Sequence, residues 1–159
     1  MPGQLLTTWR DYQQSIDQVL ALASRTLSIF DHDLSLFKPD DPSRNSQLRR
    51  LLGDRIVDRR MTIIVQEADF VRQHCPRLLS LLASYAPALT LIVAPATLAA
   101  LRDSILIADD RHLLVRFDRQ QPRARQLIDE VIDCQPYVAR FAEILAEGGE
   151  TISPTTLGL

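Results

Sequence analysis

The chain has 159 residues, 46% of them apolar and 24% charged, which suits one globular domain and excludes a low-complexity or disordered composition. A formal net charge of -2 excludes a uniformly basic surface, so any grip on nucleic acid would rest on a local patch. Cys75 and Cys134 form neither a CxxC pair nor a disulfide framework, and no basic and apolar leader opens the sequence, which leads to the expectation of a reducing, cytoplasmic setting.

In chain order, residues 4 to 24 predict an amphipathic helix, because Leu5, Trp9, Tyr12, Ile16, Val19, Leu20 and Ala23 recur at helical spacing. TLSIF, residues 26 to 30, predicts a strand that stops at the polar triplet DHD. After a loop rich in proline and acid, Leu48, Leu51, Leu52, Ile56 and Val57 predict a helix over residues 44 to 59. MTIIV, residues 61 to 65, predicts a second strand; residues 69 to 85 a helix interrupted near Pro76; and LTLIV, residues 89 to 93, a third strand. The uncharged stretch from 78 to 101 is long enough to span a bilayer, but Pro87 and Pro95 divide it into a helix end, turns and a short strand, so no membrane span is expected.

SILIAD and HLLVRF follow as a tight antiparallel hairpin, whose second strand alternates as though one face were less buried. From Pro122 the spacing of Ala124, Leu127, Ile128 and Val131 predicts a helix that Pro136 must break or kink before a last helix through Val138, Phe141, Ile144 and Leu145. The fold class is therefore α/β: a single domain over residues 1–147 with a mixed β-sheet flanked by helices, and a tail at 148–159 where Leu157 and Leu159 would dock. Right-handed crossovers make the first three strands parallel, and the hairpin adds antiparallel strands.

Ligands in open α/β sheets bind beyond the carboxyl ends of the parallel strands. That edge would gather Asp31, His32 and Asp33 after the first strand and Glu67 after the second. A fourth strand running the opposite way brings Arg102 and Ser104 there, with Arg116 and Asp118 arriving from the fifth. Asp109, at the hairpin turn, falls on the far side. On an extended chain Asp31 and Asp33 would share one side and could hold a divalent metal with Glu67. The blander reading makes Arg102 and Arg116 their counter-charges in a partly buried ion-pair cluster. His112 reads as a surface or strand-pairing residue and His74 as a helix-packing one. Arg44, Arg49, Arg50, Arg55, Arg59 and Arg60 form the one basic concentration, diluted by Asp54 and Asp58 and lacking aromatics to stack bases.

The hairpin SILIADDRHLLVR resembles that of phospholipase D-like phosphodiesterases, whose motif is His, any residue, Lys, four residues, Asp. On that spacing Asp109 matches the aspartate, while Arg102 stands at the histidine and Ser104 at the lysine. With DHDL, IIVQEA, QHCPRLL, PRARQL and the terminal TTLGL, the chain resembles a bacterial family of uncharacterised phospholipase D-like domains without the His and Lys. The resemblance implies a phospholipase D-like fold whose phosphohistidine route is lost, since an arginine that stays protonated cannot attack phosphorus. It implies a catalytically silent binding, regulatory or assembly module with no cofactor and no catalytic residues. The partner would be a second copy of the chain, met at Leu113, Val115 and Phe117, or an accessory protein such as the acetyltransferase-like domains to which such relatives are joined. The alternatives are a phosphodiesterase or nuclease with chemistry relocated to Asp31, His32, Asp33 and Glu67, and a nucleic-acid-binding module on the 44–59 helix.

Overall fold

The structure, a computed structural model, describes residues 3–53 and 58–153. Three apolar runs, β2 (Thr26–Asp31), β3 (Arg60–Val65) and β4 (Leu89–Val93), pair in parallel at the centre of the sheet. The helices between them are the crossovers that parallel pairing requires: α2 (Pro42–Gly53), then α3 (Asp69–His74) and α4 (Pro76–Tyr85), divided at Cys75 and Pro76. On the other side of β2 the direction reverses. β5 (Ser104–Ala108) lies antiparallel to β2, and β6 (His112–Arg116), β7 (Ala124–Leu127) and β1 (Gln4–Leu6) continue antiparallel. With β8 (Glu150–Thr151) on β4, the described residues form one eight-stranded mixed sheet in the order β1-β7-β6-β5-β2-β3-β4-β8.

Strand alternation divides the apolar residues between two cores. Leu27, Ile29, Met61, Ile63, Leu91 and Leu106 pack beneath α1 (Trp9–Leu22), α2 and α4. Phe30, Ile64, Ile105, Ile107, Leu113 and Val115 pack beneath α5 (Val131–Ala146), with Phe141 and Ile144 facing them. No helix among the described residues is long and apolar enough to cross a membrane.

Six expectations change. The 4–24 segment is not one helix: Gln4–Leu6 pairs with β7, and Thr8 caps α1 by accepting from the Asp11 N–H at 3.1 Å. Leu5 is accordingly exposed, because it lies on a strand and faces away from the core. Residues 124 to 127 also form a strand, since two neighbouring strands supply backbone partners that helical spacing cannot reveal. Pro136 lies inside an uninterrupted α5. All five residues of β6 are buried, with α1 covering the face expected to be wet. Part of the tail joins the fold through β8 and the buried Ile152, while Leu157 and Leu159 lie outside the described residues. The helix expected over 44–59 is helical over Pro42–Gly53 and no longer helical at Asp58 and Arg59, while Arg55, Ile56 and Val57 lie outside the described residues.

The hairpin turn carries two residues at positive φ, Asp109 at 55° and Asp110 at 56°, a conformation that aspartate tolerates better than most side chains. The Asp109 carboxylate clamps the entry to β2: it accepts from the N–H groups of Ser24, Arg25 and Thr26 at 2.9, 2.8 and 3.0 Å, and from the Ser24 hydroxyl at 3.1 Å. Burial raises the Asp109 pKa, but these donors outweigh it and hold the carboxyl below its ordinary value. A depressed carboxyl pKa stabilises the fold above the unfolded value and loses that contribution as the pH falls. Asp109→Ala should lose about 1–3 kcal/mol in urea denaturation at neutral pH. Asp109→Asn should lose less, and its gap from the parent should narrow below about pH 4.

Candidate functional site

Register assembles a polar row at the carboxyl edge of β2. Ser104 on β5 lies opposite Arg116 on β6, and Ile105 lies opposite Phe30, which brings Ser104 beside Asp31. All three side chains point to the face covered by α1, by the same alternation that places Ile29, Leu106 and Leu114 there. The Ser104 hydroxyl donates to Asp31 Oδ1 at 2.6 Å and accepts from Arg116 Nη2 at 3.2 Å. The guanidinium itself is 3.7 Å from Asp31. Arg116 is 1% exposed and Asp31 5%, so a charge pair bridged by a hydroxyl is sealed inside the domain.

Its surroundings follow from helical spacing. Trp9 and Tyr12, three residues apart on α1, place their rings 5.5 and 5.0 Å from the Arg116 guanidinium carbon. Arg116 Nη1 donates to the Asp118 carbonyl at 3.0 Å, while Nε has no partner among the described residues. Burial, with Asp31 adding to it, raises the Tyr12 pKa. A cavity of about 10 Å³ adjoins Tyr12, Asp31 and Ser104, room for about one water and not for a substrate.

The remaining residues of the expected pocket separate. The chain bends immediately after Asp31, with Leu34 at a φ of 70°, so Asp31 and Asp33 do not share the side of an extended strand. Asp31 Oδ2 accepts from the Leu34 N–H at 2.7 Å, and Asp33 from the Ser35 N–H at 2.9 Å. Glu67 is exposed at the opening of a separate cleft. No group of three His, Cys, Asp or Glu side chains that could hold a metal occurs among the described residues. Arg102 does not balance these acids either. It is exposed and grips Asp118 with Nε and Nη2 at 2.7 and 3.2 Å. The Arg102 hydrogen bond, with the Gln120 N–H, pulls the Asp118 carboxyl down to about 2.

Arg119, which no periodicity singled out, approaches His32 at this edge. His32, Gln66, Glu67 and Arg119 line a cleft of about 350 Å³ beyond the ends of β2, β3 and β4. A cleft of about 400 Å³ lies at the opposite end of the sheet, but the Asp109 carboxylate on it is committed to the start of β2. Of the other histidines, His112 is buried and its Nδ1 accepts from the Asp129 N–H at 3.0 Å, with burial holding its pKa down. His74 is exposed and packs on Phe70 with ring centroids 5.1 Å apart.

The basic helix is also put to structural use. Arg44 is buried against Asp17 at 2.9 Å and donates to the Phe37 and Gln13 carbonyls at 2.6 and 2.9 Å. Arg50 donates to the Leu20 and Ala23 carbonyls, both at 3.0 Å, and so caps the end of α1. Arg59 donates to the Leu51 carbonyl at 2.9 Å. Of the apolar residues expected at a dimer face, Leu113 and Val115 are buried under α5, and Phe117 alone is exposed.

The sheet architecture and the likeness to solved structures give a phospholipase D-like α/β fold. The solved structures that share it include three from different sources. TrmBL2, an archaeal chromatin protein whose structure shows a novel mode of DNA binding, matches 96% of this chain at 11% identity and a TM-score of 0.68. This chain spans about half of that one, 54% of its length. NucT from Helicobacter pylori matches 91% of this chain and 96% of its own at 12% identity and a TM-score of 0.59. Nuc from Salmonella typhimurium, a phospholipase D family member, matches 95% of this chain and 97% of its own at 8% identity and a TM-score of 0.60. No protein-family model matches the chain, and no curated protein does either.

The two arginines at this edge have opposite roles, and substitution separates them. Arg116→Ala should cost ~3–5 kcal/mol in chemical denaturation, because Asp31 is left buried without its counter-charge. Arg102→Ala should leave the denaturation midpoint close to the parent's, while the Asp118 carboxyl followed by NMR titrates upward from about 2 towards its ordinary range.

Proposed function

We propose that the chain is a catalytically silent phospholipase D-like domain that serves as a binding, regulatory or assembly module. The observation that carries this reading is Ser104. It stands where the motif has its lysine, and its hydroxyl is consumed by Asp31 and Arg116 beneath Trp9 and Tyr12. Instead of a free cation facing phosphate, this position holds an internal bridge beside space for about one water. Arg102, at the histidine position, cannot act as a nucleophile and is paired with Asp118. One position of the motif is thus taken up by a buried bridge and the other by an exposed ion pair. The purified chain, incubated with bis(p-nitrophenyl) phosphate and with single- and double-stranded oligonucleotides, should show no turnover above buffer. Turnover abolished by Arg102→Ala or Ser104→Ala would overturn the reading.

A second reading, nucleic-acid binding, is favoured by the likeness to TrmBL2 and by a groove of about 480 Å³ at Arg49, Arg50, Gly53 and Tyr85. Arg44 and Arg50 are already committed to carbonyls and Asp17, so few cations are left there to neutralise phosphates. Oligonucleotide affinity should therefore be weak with a shallow dependence on salt, and a steep slope of log K against log salt would favour this second reading.

A further inference from the structure

The cleft beyond β2, β3 and β4 carries opposite charges that do not meet. Arg119 Nη1 lies 2.7 Å from Nδ1 of His32 and 3.2 Å from Nε2, and Nη2 donates to the Leu101 carbonyl at 3.3 Å. A guanidinium only donates, so the imidazole nitrogen facing it accepts and adds no negative charge. Arg119 has no carboxylate in ion-pair contact among the described residues, and its Nε is buried without a partner. In the same cleft, the Glu67 N–H donates to the His32 carbonyl at 2.8 Å, and the Glu67 carboxylate makes no hydrogen bond or ion pair among the described residues.

The rest of the cleft is braced by Gln66 and lined by short apolar side chains. The Gln66 amide donates to the Leu98 and Leu101 carbonyls at 2.8 and 2.9 Å, bracing the turn after β4 against the end of β3. Ala94, Ala96 and Ala99, with Pro95, form a wall of short side chains. A volume of about 350 Å³ suits a small molecule.

Charge selects the kind of molecule. A phosphate dianion would satisfy Arg119 but meet Glu67 as a like charge, and a simple amine would satisfy Glu67 but leave Arg119, which feels the Asp118 charge only at a distance, without a direct anionic partner. A carboxylate and an ammonium on one short carbon frame satisfy both and rest their carbon on the alanines. We propose that this cleft binds a small zwitterionic amino-carboxylate, an α-amino acid or a close relative, with its carboxylate on Arg119 and its ammonium on Glu67. The proposal rests on the binding-module reading and names the ligand class of that module.

Isothermal titration of the full chain with each standard amino acid, and with inorganic phosphate, tests it. At least one amino acid should bind, and its N-acetyl and methyl-ester derivatives, each lacking one charge, should bind at least about tenfold more weakly. Arg119→Gln and Glu67→Gln should each weaken binding about ten- to a hundredfold. Should Arg119→Gln fail to fold, Glu67→Gln and the two blocked derivatives decide. Absence of binding by every amino acid at millimolar concentration, binding of phosphate alone, or affinity indifferent to Glu67→Gln and to both blocking groups would overturn the proposal. These outcomes are independent of phosphodiester turnover, so failure here and failure of the silent-domain reading are told apart.

Discussion

Arg116 carries a positive charge into the interior of the sheet, and much of the carboxyl edge is arranged around that charge. A buried guanidinium needs a counter-ion, acceptors for its N–H groups and something to exclude competing water. Asp31 supplies the charge, Ser104 the bridge, the Asp118 carbonyl an acceptor, and the Trp9 and Tyr12 rings the cover. Each supplier comes from a different part of the chain. The row therefore ties α1, β2, β5 and the loop after β6 into one unit, beside a cavity with room for about one water.

Immediately outside this closed row lies an open cleft with different chemistry. The bend after Asp31 turns one residue inward and the next outward: Asp31 is buried and His32 lines the cleft. Arg116 and Arg119 show the same division three residues apart, one locked beneath α1 and the other against His32. This edge of the sheet thus places a buried ion pair and a cleft-lining cation side by side. The two are kept apart by the direction in which each side chain leaves the backbone.

Arginine is the chain's structural cation, with Lys38 as the sole lysine. Arg44 joins α2 to Asp17 and to two carbonyls, Arg50 closes the end of α1, and Arg140 ties α5 to Asp103 at 2.9 and 3.0 Å. Each uses several N–H groups in fixed directions, which a single ammonium on a flexible stem does not reproduce. A composition that invites a nucleic-acid reading is thereby largely spent on holding helices in place.

The parallel strands at the centre, their crossover helices and the following hairpin were legible in the sequence, because buried strands are continuous apolar runs and their order limits the topologies available. The placing of Asp109 on the far side of the sheet, and of Ser104 and Arg116 at the edge near Asp31, followed from strand direction alone. The strands 4–6 and 124–127 were not legible, since they pair with each other from more than a hundred residues apart, the second also lying against β6, and short polar strands carry little periodicity. Nor was the choice of partner for Arg102. Sequence brought it to the right end of the sheet, and only the tertiary path of the loop after β6 set Asp118 nearer than Asp31. The same loop brought Arg119 to His32, a contact between residues 87 positions apart that no local pattern encodes.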